Sequence, residues 1–125
     1  LEKINQLSQE LILIRINKIP GVHGTLIVGD DGLMIASDVA DGEDPQALAA
    51  VASNVAATLT LALERMGQGQ VSRFLMNGTE GSAVLQTVQA AILLTLVKRD
   101  ANMGMVLVEL REATEALAAK LAGSE

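Results

Sequence analysis

Apolar positions along the chain recur at two periods, and the switches between them divide it into eight elements. In residues 1–19, Ile4, Leu7, Leu11 and Ile14 share one helical face, with Ile12, Ile16 and Ile19 on an adjoining one. The β-branched run of residues 11–16 also fits a strand. The polar lead-in of residues 2–10 keeps the helical period, so a helix is predicted, ended by Pro20-Gly21. Its apolar surface is wider than one sheet contact requires, a hint of a buried partner surface. Residues 22–28 and 33–37 are short apolar runs joined by Gly29-Asp30-Asp31-Gly32. That is hairpin chemistry, with Asp31-Gly32 supplying positive φ angles. Asp38, Asp41, Glu43 and Asp44 make an acidic lead into the longest helical pattern, residues 44–66.

Asp44 reads as that helix's N-cap and Pro45 as its first residue, while Gly67 and Gly69 stop it after Met66. Steps of 100° place Leu48, Val51, Ala52, Val55, Leu59, Ala62, Leu63 and Met66 on a broad apolar face. Gln46, Ser53, Thr60 and Glu64 line the opposite side, open to water or a polar partner. A third stripe, Ala47, Ala50, Asn54, Thr58, Leu61 and Arg65, is small enough to admit another backbone. The plainer reading of the alanines is helix propensity alone. Strands follow at residues 71–76, 83–88 and 91–97, the last nearly all apolar and hence central in a sheet. A final helix over residues 103–121 aligns Met103, Leu107, Leu110, Thr114, Leu117 and Leu121, with Arg111 and Glu115 spaced to pair on its outside. Every strand connection can be a hairpin except the one carrying the middle helix, which predicts an antiparallel α+β fold.

At 125 residues the chain suits a single domain, 1–125, with enough length for a core. Phe74 is the only aromatic, so that core is aliphatic, and the absence of cysteine fits a reducing cytoplasm. A net charge of −6 and the lack of a basic stripe argue against nucleic acid. The longest nearly pure apolar run, residues 90–97, is too short for a bilayer, and no basic-then-apolar signal segment opens the sequence. No membrane insertion is therefore expected.

Chemistry is sparse. His23 is the only histidine and has no adjacent nucleophile or ligand set, so it reads as a surface residue. Neither a phosphate-binding loop with its lysine nor a dinucleotide-binding glycine pattern occurs. The acids of residues 38–44 lack calcium-loop spacing. Asn77-Gly78-Thr79 matches a glycosylation acceptor, but Asn-Gly is also a favoured hairpin turn. Arg65 and Arg73 are candidates for partner contacts or for an arginine donated to another protein's phosphate site, against a default of solvated arginine. No catalytic, cofactor-binding or metal-binding residue is predicted, and an enzyme is not expected.

Ile19-Pro20-Gly21-Val22, the following strand with Asp30-Asp31-Gly32-Leu33, and the alanine-rich helix together resemble the roadblock domain of dynein light chains and bacterial GTPase regulators. Ala101-Asn102-Met103-Gly104, entering Leu107-Val108-Glu109-Leu110-Arg111-Glu112-Ala113, is similar too. The resemblance covers about residues 7–121 and rests on turn and packing residues in order, not on one diagnostic motif. It implies a five-stranded antiparallel sheet with the middle helix on one face and the terminal helices on the other. It also implies a homodimer, with third strands edge to edge and middle helices side by side. Mapped onto this chain, the dimer contact falls at Ala50, Asn54, Thr58, Leu61, Arg65, Gln70, Ser72 and Phe74. The bacterial members it resembles, of MglB type, bind a small Ras-like GTPase and have no active site of their own. The partner surface expected here is Gln46, Ser53, Thr60 and Glu64, acting on the partner's switch loops. Two other classes stay open: a dimeric adaptor or motor-associated scaffold without a GTPase partner, and a small-molecule sensor. The scarcity of polar groups in the core stripes disfavours the sensor.

Overall fold

The computed structural model describes residues 2–123, with side chains described from Leu7 onward. Its elements run α1 (Glu2–Asn17), β1 (Val22–Val28), β2 (Met34–Asp38), α2 (Pro45–Arg65), β3 (Arg73–Asn77), β4 (Gly81–Val88), β5 (Ala91–Lys98) and α3 (Met103–Leu121). The five strands form one sheet in the order β2-β1-β5-β4-β3, antiparallel at every pairing. The nearly uninterrupted apolar run of β5 thus lies at the centre, covered on both faces.

Alternation along the strands sorts side chains into two cores. Ile27, Val84, Leu93 and Val97 point toward α1 and α3, where they meet Leu13, Ile16, Val106, Leu110, Ala113 and Leu117. Leu26, Val28, Leu85 and Leu94 point the other way, onto Ala49, Ala52 and Ala56 of α2. Full burial of each such aliphatic side chain contributes about 1.5–3 kcal/mol, so the two layers together dominate the stabilising terms. α2 carries the chain from β2 at one edge to β3 at the other.

Local chemistry explains the boundaries of α2. The Asp44 carboxylate accepts hydrogen bonds from the Gln46 and Ala47 N–H groups, and Pro45 occupies the first turn. At the other end the Gln68 N–H donates to the Leu63 carbonyl at 2.8 Å, with Gly67 at φ +72°. By length and composition α2 could cross a bilayer, which a survey of unbroken apolar runs overlooks. Its alanine side is instead packed on the sheet.

Several expectations need correction. The buried side of α2 is Ala49, Ala52 and Ala56, flanked by Leu48, Val55, Leu59 and Leu63, whereas Val51 and Met66 are exposed. Small residues let the helix settle close to the sheet, and the larger Val51 is turned outward. α1 ends at Asn17, and Leu1 and the side chain of Ile4 lie outside the described residues. α1 buries Gln9, Ile12, Leu13 and Ile16 and leaves Leu7, Leu11 and Ile14 exposed. In the β1–β2 turn only Gly32 has positive φ (+82°). Asp31 acts through its side chain, accepting from the Leu33 N–H at 3.0 Å. Residues 71–72 precede β3 proper, held by Thr87, whose N–H donates to Ser72 O and whose hydroxyl donates to Val71 O. Arg111 and Glu115 do not pair; Glu112 of α3 meets Arg15 of α1 at 3.7 Å, both well exposed and worth little. Gly21 is required by geometry, because at φ +97° a Cβ would lie 2.3 Å from the Ala101 Cβ.

Candidate protein–protein interface

Because α2 uses its alanines against the sheet, its remaining circumference faces out. Ala47, Ala50, Asn54, Thr58, Leu61 and Arg65 are all exposed, as the third-stripe reading expects. Val51 and Leu61 are 58% and 51% exposed, so the face is apolar at two large side chains and low-relief between them. Val51 and Met66 are the residues that periodicity misassigns. The signal available was size: Ala49, Ala52 and Ala56 form an all-alanine seam that a close sheet contact would select.

The polar stripe is less open than its composition suggests. Gln46 and Glu64 are exposed, while Ser53 and Thr60 are half-buried. Ser53, Thr60 and Glu64 line a groove of about 400 Å³ between α2 and the β1–β2 turn, opposite Asp30. The Ser53 hydroxyl is buried without a hydrogen-bond partner among the described residues. Gly32 lies against it, since a Cβ there would stand 3.5 Å from Ser53 Oγ. The groove therefore offers two carboxylates and an unengaged hydroxyl, with no cation among its lining residues. Gln46 is not part of it.

Past the end of α2, Gln70 and Ser72 are exposed, and Gln70 shares a shallow pocket with Thr60. Phe74 is half-buried and packs into the α2-side core. Among the described residues β3 is hydrogen-bonded to β4 alone, so its other edge has no strand partner there. Unpaired edges of this kind recruit further strands. The structure thus gathers the helix residues on one outward face, but of the three residues expected on the edge strand only Phe74 lies in β3; Gln70 and Ser72 are exposed in the segment before it. Arg65 is exposed in the last helical turn, and Arg73 lies on the far side of the sheet, facing α3.

Elsewhere little chemistry converges. His23 is exposed at the start of β1. Among the described residues no group of three or more His, Cys, Asp or Glu could hold a metal ion. Asn77 is the last residue of β3, at the mouth of the β3–β4 turn: the Ser82 hydroxyl donates to its Oδ1 at 2.7 Å, and the Gly78 N–H donates to Gly81 O.

This chain is similar to several known proteins. Protein MJ1340 of Methanocaldococcus jannaschii, itself uncharacterized, is 27% identical over 108 residues, covering 86% of this chain and 95% of that protein. Myxococcus xanthus MglB superposes with a TM-score of 0.89 at 16% identity, over 94% of this chain and 90% of that one. The gliding protein MglB of Thermus thermophilus gives 0.85 at 18% identity, over 96% and 93%. At these identities the two structures show a shared fold. The Roadblock/LC7 domain family matches residues 8–98, most of the chain and all of the sheet, and the chain therefore belongs to the Roadblock/LC7 domain family.

Proposed function

We propose that this chain is a homodimeric, non-catalytic platform that binds a small Ras-like GTPase and modulates its GTP hydrolysis. The observation that carries the reading is the outward face of α2, with Val51 and Leu61 uncovered. The bare edge of β3 adds a second surface suited to self-association. Pairing those edges in two copies would extend the sheet and bring the two helices alongside, leaving Gln46, Ser53, Thr60 and Glu64 for the partner. Membership of the family and likeness to MglB support a regulator over an enzyme. The test mixes the protein with the Ras-like GTPase of its own source, loaded with GDP or a non-hydrolysable GTP analogue. Binding is read by calorimetry and hydrolysis by phosphate release. Nucleotide-dependent association supports the reading; no association in either state removes it.

One observation favours a second reading, an adaptor without a GTPase. Leu7, Leu11 and Ile14 leave an apolar strip exposed on α1, on the opposite side of the sheet from α2. A bridging protein would use both sides. Co-purified partners that survive Val51→Glu but not Leu11→Glu would favour this role.

A further inference from the structure

On the sheet face that carries α1 and α3, Arg73 of β3 and Arg111 of α3 line one cleft of about 280 Å³ with Ser72, Gln86 and Thr114. No carboxylate lines it, although the chain has 15 acids against nine Lys and Arg. Helical spacing offers Arg111 a partner in Glu115, yet the two do not pair. Neither guanidinium has an ion pair among the described residues. Two like charges brought to one cleft by different elements repel unless something between them is negative. Gln86 Oε1 is buried without a donor among the described residues. The Thr114 hydroxyl is committed to Arg111 O at 2.9 Å, so it adds no donor, which leaves the two guanidiniums as the charged donors of the cleft.

The geometry points to an anion site between β3 and α3 that takes a phosphate group, held by the Arg73 and Arg111 guanidiniums. A carboxylate has two oxygens, which one guanidinium fork satisfies. A tetrahedral phosphate presents further oxygens to a second fork arriving from another direction. Each guanidinium has five N–H donors, enough to grip the anion and to satisfy Gln86 Oε1 as well. The site lies across the sheet from the outward face of α2 and does not depend on the GTPase reading. Its phosphate could be the free ion or a small monoester, and the two are separable.

The experiment titrates the full chain, in chloride buffer, with inorganic phosphate, with glycerol 2-phosphate and with acetate. The arginine Nε–Hε resonances are followed by NMR. Saturable shifts at Arg73 and Arg111 with either phosphate probe are expected, the tighter probe identifying the source. Arg73→Gln and Arg111→Gln should each weaken binding about tenfold or more, as loss of charge-assisted hydrogen bonds does. Arg111→Lys, which keeps the charge and loses the fork, should fall between wild type and Arg111→Gln. Thermal melts confirm that the variants fold. The assignment is overturned if neither phosphate probe saturates, if acetate binds as well as phosphate, or if both glutamine variants bind like wild type.

Discussion

Thr25 and Thr95 face each other across the β1–β5 pairing, and both are fully buried on the α1 side of the sheet. They differ in one respect. The Thr25 hydroxyl donates to Leu13 O at 3.4 Å, whereas Thr95 Oγ1 has no hydrogen-bond partner among the described residues. Replacing either with valine preserves the branched shape and exchanges a hydroxyl for a methyl. At Thr95 the exchange removes a desolvated group with nothing to bond, a gain of about 1–3 kcal/mol. At Thr25 it removes a bond and costs about 0.5–1.5 kcal/mol. The same substitution at adjacent positions should therefore act with opposite sign. For a chain this long each kcal/mol moves the melting temperature by about 4 °C. Thr95→Val should melt several degrees above wild type and Thr25→Val a few degrees below. Urea unfolding at one fixed protein concentration measures both, so that the proposed self-association contributes equally to each comparison. If Thr95→Val destabilises as much as Thr25→Val, the Thr95 hydroxyl has a partner and the reasoning is wrong.

Gln89, between β4 and β5, is the one described non-glycine residue at positive φ (56°), so Gln89→Gly should stabilise by about 0.5–1 kcal/mol in the same urea assay. Gly21→Ala combines positive φ with a 2.3 Å approach to the Ala101 Cβ, and should cost more than about 2 kcal/mol or abolish the folded signal in circular dichroism. Asp44→Ala removes both N-terminal bonds of α2 and should cost about 1 kcal/mol, read from the urea midpoint. Val51→Glu and Leu61→Glu sit on exposed positions and should leave the folded protomer intact while lowering the mass measured by sedimentation equilibrium; an unchanged mass would sink the α2 contact.

The element order was legible because its signals are local. Asp44-Pro45 and Met66-Gly67 mark α2 to within a residue, and Asn102 caps α3 through the Met105 N–H. Which side of each helix is buried was harder to read. Hydrophobicity ranks Val51 above Ala49 and Ala56, yet the alanines are buried and Val51 is exposed, because a close approach of α2 to the sheet selects small side chains; on α1, Gln9 is buried and Leu11 exposed, and size does not explain that pair. Val106, buried in the first turn of α3, also fell outside the expected stripe. Strand order was readable in part: the apolar run of β5 marks it as central, but nothing local names β1 as its second neighbour. The helix stripe of the candidate interface was readable as small residues. The groove beside Ser53 and the cleft between Arg73 and Arg111 were not, since each joins elements distant in sequence.

The insertion of β5 beside β1 has a kinetic consequence. Hairpin β1–β2 and the meander β3–β4–β5 each close over short connections, but Val28 must find Ile92 across more than half of the chain. The entropic cost of closing that loop falls on a single seam, and it is incurred before the contacts that repay it exist. Two locally formed halves that zip together late would fold no faster than that search allows, and each would meanwhile show its neighbours an unfinished seam of backbone donors and acceptors.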